Sequence, residues 1–171
     1  MNCAVVADPA VGLVKHGAQV ADIGSGAGLP GIVWALVRPD IQVSLIEALL
    51  RRATFLEEVV AELGLQERVS VIRSRAEDCG RDGAWTGVDV VTARAVAPLP
   101  TLLRWMLPLA AASGLCLALK GARAADEVAA VEADPEWNQG SGGVKLSIAA
   151  IGEGILAQPT TVVVARRRRA Q

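Results

Sequence analysis

The chain has 171 residues, 52% of them hydrophobic and 20% charged, with a formal net charge of −1. This is enough for one domain, residues 1–171, with a full α/β core, and it excludes both a largely disordered chain and a uniformly basic nucleic-acid binder. Cys3, Cys79 and Cys116 are odd in number and unpatterned, which argues against a disulfide framework and a zinc site and points to a reducing compartment, the cytoplasm.

No basic segment with an apolar core opens the chain, so no signal peptide is expected. The longest nearly apolar stretch, Trp105 to Leu119, is broken by Pro108 and by Ser113-Gly114 and falls short of the roughly 18 residues a membrane span needs. Charge is uneven along the sequence. The 17 basic residues include Arg166 to Arg169, and without these four, acids outnumber bases 18 to 13.

In chain order, Asn2 to Val6 reads as the last turn of a helix stopped by Asp8-Pro9, since a residue before proline avoids helical geometry. Val11 to Gly17 is a connector, and His16 within it reads as a solvated loop residue. A strand from Ala18 to Ile23 then meets DIGSGAGLPG, residues 22–31, and a helix from Pro30 to Val37. Gly24, Gly26 and Gly28 let the backbone turn sharply and approach a ligand, with Pro30 in the first helical turn. Such a strand, glycine turn and helix receives a carboxylate or phosphate.

The glycines alone are ambiguous, because Gly26, Gly28 and Gly31 also satisfy the G-x-G-x-x-G of a nicotinamide dinucleotide site. Asp22, two residues before the first glycine, favours a cofactor carrying an amino-acid ammonium. Asp-x-Gly-x-Gly-x-Gly resembles motif I of the class I S-adenosylmethionine methyltransferases.

A second strand, Ile41 to Ile46, ends at Glu47, placed to accept both hydroxyls of a ribose, a device common to both cofactor types. From Leu49 to Leu63, apolar residues at 49, 53, 56, 60 and 63 trace one helix face, capped by Gly64. Strand Val69 to Ile72 leads into a loop, Arg75-Ala76-Glu77-Asp78, where small or acidic residues can border an adenine; an N-capped surface turn is the other reading of Asp78. Strand Val88 to Thr92 ends at Arg94, helix Leu99 to Ala112 follows, and strand Gly114 to Leu119 ends at Lys120. After a helix over Ala124 to Ala133, the β-rich runs Val144 to Ala150 and Thr160 to Ala165 are joined too closely for a crossover helix, hence an antiparallel hairpin.

Five βα units and a terminal hairpin describe a three-layer, Rossmann-like sandwich with a mostly parallel seven-stranded sheet. A dehydrogenase would need a separate substrate domain, for which the chain has no room. Arg94 and Lys120, at the ends of the fourth and fifth strands, face the transferred group, Arg94 as a contact to either cofactor or substrate. There is no Asn/Asp-Pro-Pro-aromatic motif for exocyclic amine methylation, no placed cysteine for pyrimidine C5 attack, and no carboxylate cluster for a metal, Asp89 being alone. A nucleophile with a free lone pair, such as guanine N7, needs no base, and proximity and alignment suffice. The basic tail at 166–171 reads either as solvated or as an RNA-phosphate contact. Stacking platforms are few, with one Phe and no Tyr; Trp34 reads as core, leaving Trp85, Trp105 and Trp137.

ADIGSGAGLPGI, LIEALLRR, SRAED, TARAVAPL and LALKG, in this order, resemble the bacterial 16S ribosomal RNA (guanine-N7)-methyltransferase family, RsmG or GidB. The resemblance implies S-adenosylmethionine as donor, a guanine N7 in the decoding region as acceptor, and 16S rRNA or the small ribosomal subunit as partner; no membrane, no metal and a monomer are expected besides. By motif matching, Gly24, Leu29, Glu47, Ala76, Glu77 and Arg94 contact the cofactor alongside Asp22 and Gly26, and Lys120 serves the RNA side. The resemblance also implies further N-terminal helices ahead of Asn2, which are expected to be missing from this chain. The alternatives are a methyltransferase of another acceptor and a module that binds S-adenosylmethionine without transferring its methyl.

Overall fold

The computed structural model describes residues 2–79, 87–138 and 143–168. Two 3-10 turns, Ala4–Ala7 and Pro9–Val11, precede β1 (Gln19–Ile23), α1 (Gly31–Val37), β2 (Gln42–Ile46), α2 (Leu50–Glu62), β3 (Val69–Ile72) and α3 (Ala76–Cys79). Then come β4 (Val88–Arg94), α4 (Leu99–Leu109), β5 (Ala110–Lys120), α5 (Ala124–Ala133), α6 (Pro135–Asn138), β6 (Val144–Ile151) and β7 (Thr160–Arg167). The seven strands form one sheet in the order β3-β2-β1-β4-β5-β7-β6. β1 to β5 pair in parallel, and β7 runs antiparallel between β5 and β6.

Both faces of the sheet are covered, which is why its central strands are apolar on both sides. Along β1, Val20 joins one core with Ile32, Val33 and Trp34 of α1 and Leu56 and Val60 of α2. Ala21 and Ile23 join the other, with Leu102, Leu103 and Met106 of α4 and Val128 and Val131 of α5. Each fully buried side chain of this size contributes roughly 1.5–3 kcal/mol. From the centre the chain winds outward through β2 and β3 on one side and through β4 and β5 on the other. The reversal falls between β1 and β4, where an open α/β sheet leaves its ligand crevice.

The segment before β1 is tied down by two buried side chains. Trp34 Nε1 donates to Cys3 O at 2.8 Å. Arg38, at the end of α1, donates to Ala7 O, Val14 O and Lys15 O and to both oxygens of Asp40. The guanidinium, helped by the Gly17 amide, holds the Asp40 carboxyl well below the usual carboxylate range.

Three boundaries differ from the sequence reading. The helix expected through Ala112 stops at Leu109, because Pro108 interrupts the helical ladder and Ala110 pairs with Val88, so β5 begins at once. The loop expected at 75–78 contains α3. The expected tail at 166–171 begins as strand: Arg166 and Arg167 belong to β7, paired with Lys145 and Val144. Arg169 and Trp85 lie outside the described residues.

Candidate active site

The glycine loop follows β1 directly. Gly24, Gly26 and Gly28 all have positive φ, at 65, 55 and 84°, a region an L side chain adopts only under strain. A Cβ on Gly24 would meet the Val96 side chain at 2.8 Å, so this glycine lets the β4–α4 loop close onto the β1 turn. A Cβ on Gly26 would meet only Gly24 O, at 3.6 Å. Gly26 is therefore bare toward the ligand space rather than toward the protein. Pro30 sits one residue earlier than the sequence reading has it: it is the N-cap of α1, joined to Leu29 by a cis peptide bond.

The loop is held from both sides by carboxylates. Glu47, at the end of β2, accepts from Gly26 N at 3.0 Å through Oε2 and from Leu49 N at 2.9 Å through Oε1. Each oxygen keeps a lone pair for a further donor. Asp22 lies behind the loop: it is fully buried, and its Oδ2 accepts from Gly31 N at 3.0 Å. Burial, opposed by that hydrogen bond, pushes its carboxyl up to about 7. Asp22 is absent from the cavity wall, where a contact to a cofactor ammonium would place it: Oδ2 is bound to the turn, while Oδ1 has no hydrogen-bond partner among the described residues.

A cavity of about 900 Å³ opens over the carboxyl ends of β1, β2 and β4. Gly24, Gly26, Leu29, Glu47, Ala76, Glu77 and Arg94 all line it, so seven of the expected positions converge on one space. Arg94 is exposed and, among the described residues, pairs with neither Asp89 nor Glu77. Asp89 accepts instead from Gln19 N at 2.9 Å, and Glu77 lies 3.8 Å from Arg75. Sequence reasoning missed Phe55 on this wall, held Val96 and the Arg51-Arg52 pair only as parts of motifs, and named Trp105 only as a stacking platform left over.

A second cavity, of about 740 Å³, adjoins the first and shares Leu29, Arg94 and Ala95 with it. Its far wall comes from Lys120 to Ala122 and from Pro159 to Thr161. Lys120 lines this space, yet its ammonium is occupied: Nζ donates to Ala97 O and to Glu127 Oε2, both at 2.8 Å. The same Glu127 oxygen accepts from Leu99 N at 2.6 Å, at the start of α4. With its side chain 9% exposed, Lys120 ties the β4–α4 loop to α5. The expectation of a free RNA-contacting lysine is corrected accordingly. Signals for this tie in the sequence are absent, because residues 97, 99, 120 and 127 meet only through the fold.

The model of the family described as GidB, rRNA small subunit methyltransferase G, matches residues 4–155. The chain belongs to the GidB family. A GidB relative from Corynebacterium efficiens, named ribosomal RNA small subunit methyltransferase G, is 44% identical over 169 residues, covering 99% of this chain and 69% of the relative. One of the same name from Rhodococcus jostii is 48% identical over 167 residues, covering 98% and 70%. Among solved structures, the neocarzinostatin O-methyltransferase NcsB1 in complex with S-adenosylmethionine is similar in fold, with a TM-score of 0.66 at 16% identity, covering 89% of this chain and 49% of that one. The two GidB relatives align with nearly the whole of this chain, whereas the fold is shared at much lower identity.

The site suits an adenosine-type cofactor on its own terms. Gly26 offers a bare backbone, Glu47 an acid with spare lone pairs at the end of the second strand, and Ala76 a small residue at the far wall. No group of three or more His, Cys, Asp or Glu side chains among the described residues could hold a metal ion. Burial pushes the Cys116 thiol up to about 12, which leaves it a poor nucleophile.

Proposed function

We propose that this chain is a single catalytic unit that methylates N7 of one guanine in the decoding region of 16S ribosomal RNA, with S-adenosylmethionine as donor. The observation that carries the reading is the pair of cavities meeting at Leu29, Arg94 and Ala95. One space holds a cofactor over the glycine loop, the other receives an extruded base, and the opening between them is where transfer occurs. Membership of the GidB family and the names of the relatives support the acceptor assignment. No helix among the described residues is long and apolar enough to cross a membrane. Action as a monomer in the cytoplasm belongs to the same proposal.

When bound, S-adenosylmethionine supplies an electrophilic methyl group on a sulfonium. Glu47 holds the ribose, the loop at Gly24 and Gly26 admits the amino-acid portion, and Ala76 and Glu77 border the adenine. Asp22 and Glu47 act before any of this, by fixing the loop amides so that the backbone arrives preorganised. Guanine N7 presents its own lone pair, so no side chain has to remove a proton, and rate comes from alignment. Arg94 stands at the opening and donates to guanine O6 or to a flanking phosphate, leaving N7 free.

The test is transfer of radiolabelled methyl to small ribosomal subunits lacking N7 methylation, with mapping of the labelled nucleotide. Label at a single guanine N7 in the decoding region is expected. Label elsewhere, or binding of S-adenosylmethionine without transfer, overturns the acceptor assignment. Gly26→Val serves as control: at φ 55° a β-branched residue is strained and its methyls enter the ligand space, so affinity for S-adenosylmethionine by calorimetry is lost together with the label.

A further inference from the structure

The charges of α2 run against its own dipole. A helix gains roughly 0.3–1 kcal/mol from each acid near its N-terminus or base near its C-terminus, and loses similarly from the reverse. α2 has no acid in its first turn and no base in its last. Arg51 and Arg52 occupy the start, while Glu57, Glu58 and Glu62 fall in the C-terminal half. Neither arginine is offset by a neighbour on the helix, since the positions three and four residues on are Thr54 and Phe55 for Arg51, and Phe55 and Leu56 for Arg52.

Both arginines are exposed, and both line the 900 Å³ cavity. Arg75 lines it from beyond β3, 72% exposed and with only a 3.8 Å approach from Glu77. Leu49 and Phe55 beside them are 56% and 45% exposed, a large apolar exposure for a cavity rim. A helix start that opposes its own dipole, without an ion pair among the described residues and placed at the mouth of a ligand site, is a local conflict of the kind that function retains.

We propose that Arg51, Arg52 and Arg75 form the docking surface for the phosphate backbone of the acceptor RNA beside the target guanine. Resting on the rRNA reading above, this assigns RNA affinity to the α2 side of the cavity mouth rather than to the arginines at the end of β7. The occupant is argued from charge: clustered guanidinium groups bind phosphate bidentately, and each phosphate neutralised releases counterions. The exposed Phe55 and Leu49 offer apolar surface to unstacked bases.

The experiment measures binding of the full chain to unmethylated 16S rRNA across a salt series, for wild type and Arg51→Ala/Arg52→Ala. The plot of log affinity against log salt is expected to become shallower by about 1.4, since each phosphate of single-stranded RNA that is no longer neutralised reduces the slope by about 0.7. Affinity for S-adenosylmethionine by calorimetry stays within twofold, and Tm does not fall, because alanine relieves the conflict with the dipole. Arg75→Ala, on the segment after β3, gives half the change in slope and stands independently of α2. An unchanged slope in both variants, while wild type still labels the rRNA, overturns the docking surface and leaves the rRNA reading standing. Weakened cofactor binding with an unchanged slope assigns the arginines to the cofactor wall and also overturns it. Wild type that neither binds nor labels 16S rRNA overturns both.

Discussion

Asp22 sits where a carboxylate is costly. Fully buried, it is pushed from an ordinary 3.8 to about 7, yet its Oδ2 holds the Gly31 amide at the start of α1. Between about pH 4 and pH 7 the native carboxyl keeps a proton that the unfolded chain has released, so stability falls as pH rises through that interval and levels off above it. The span corresponds to a loss on the order of 4 kcal/mol. Asp22→Asn keeps a carbonyl for Gly31 and has no proton to lose. Denaturant unfolding across this range should show a flatter dependence on pH in the variant than in wild type, and parallel curves would remove Asp22 as the cause. Asp40, whose carboxyl is held low by Arg38, works in the opposite sense, with its contribution complete above the ordinary carboxylate range.

At the scale of elements, the β4–α4 loop is the part on which both cavities depend. Ala95 holds a φ of 54° without being glycine, and Val96 packs against Gly24. Lys120 from β5 and Glu127 from α5 hold this loop by charged hydrogen bonds to Ala97 O and Leu99 N. Despite burial, the hydrogen bonds from Lys120 and Leu99 N lower the Glu127 carboxyl from its ordinary value. Lys120→Met should cost about 2–3 kcal/mol, because Glu127 loses its ammonium partner and keeps only Leu99 N, and the Ala97 carbonyl is left without its donor. Calorimetry should show cofactor affinity falling several-fold, with rRNA affinity at saturating cofactor unchanged. A loss confined to RNA binding would place the ammonium on the RNA instead.

For the whole molecule, strand direction decides which arginines can serve the site. Lys120 pairs with Thr161 at the carboxyl edge of the sheet, and from there β7 runs to Arg167, six residues or about 20 Å away. Arg167 there donates to Leu107 O at the far end of α4. Arg166 and Arg168 thus lie at the edge opposite both cavities, which corrects the reading of this run as an RNA contact beside the cofactor. Arg166→Ala/Arg168→Ala should leave rRNA affinity within twofold of wild type in the same salt series; a marked loss would mean that the RNA wraps to the opposite edge.

The sequence by itself determined the sheet and the position of the cofactor cavity. Glycine spacing, an acid at each of the first two strand ends and apolar periodicity are local signals, and Gly24, Gly26, Glu47, Ala76, Glu77 and Arg94 converge because strand ends in this topology share one edge. Tertiary structure alone decided what each charge does. Asp22 turned inward to Gly31, Lys120 was taken by Ala97 and Glu127, Arg51 and Arg52 came to the cavity mouth, and Arg166 and Arg167 went to the opposite edge. A charged side chain is defined by the partner it meets, and those partners lie up to tens of residues away, on elements brought near only by packing.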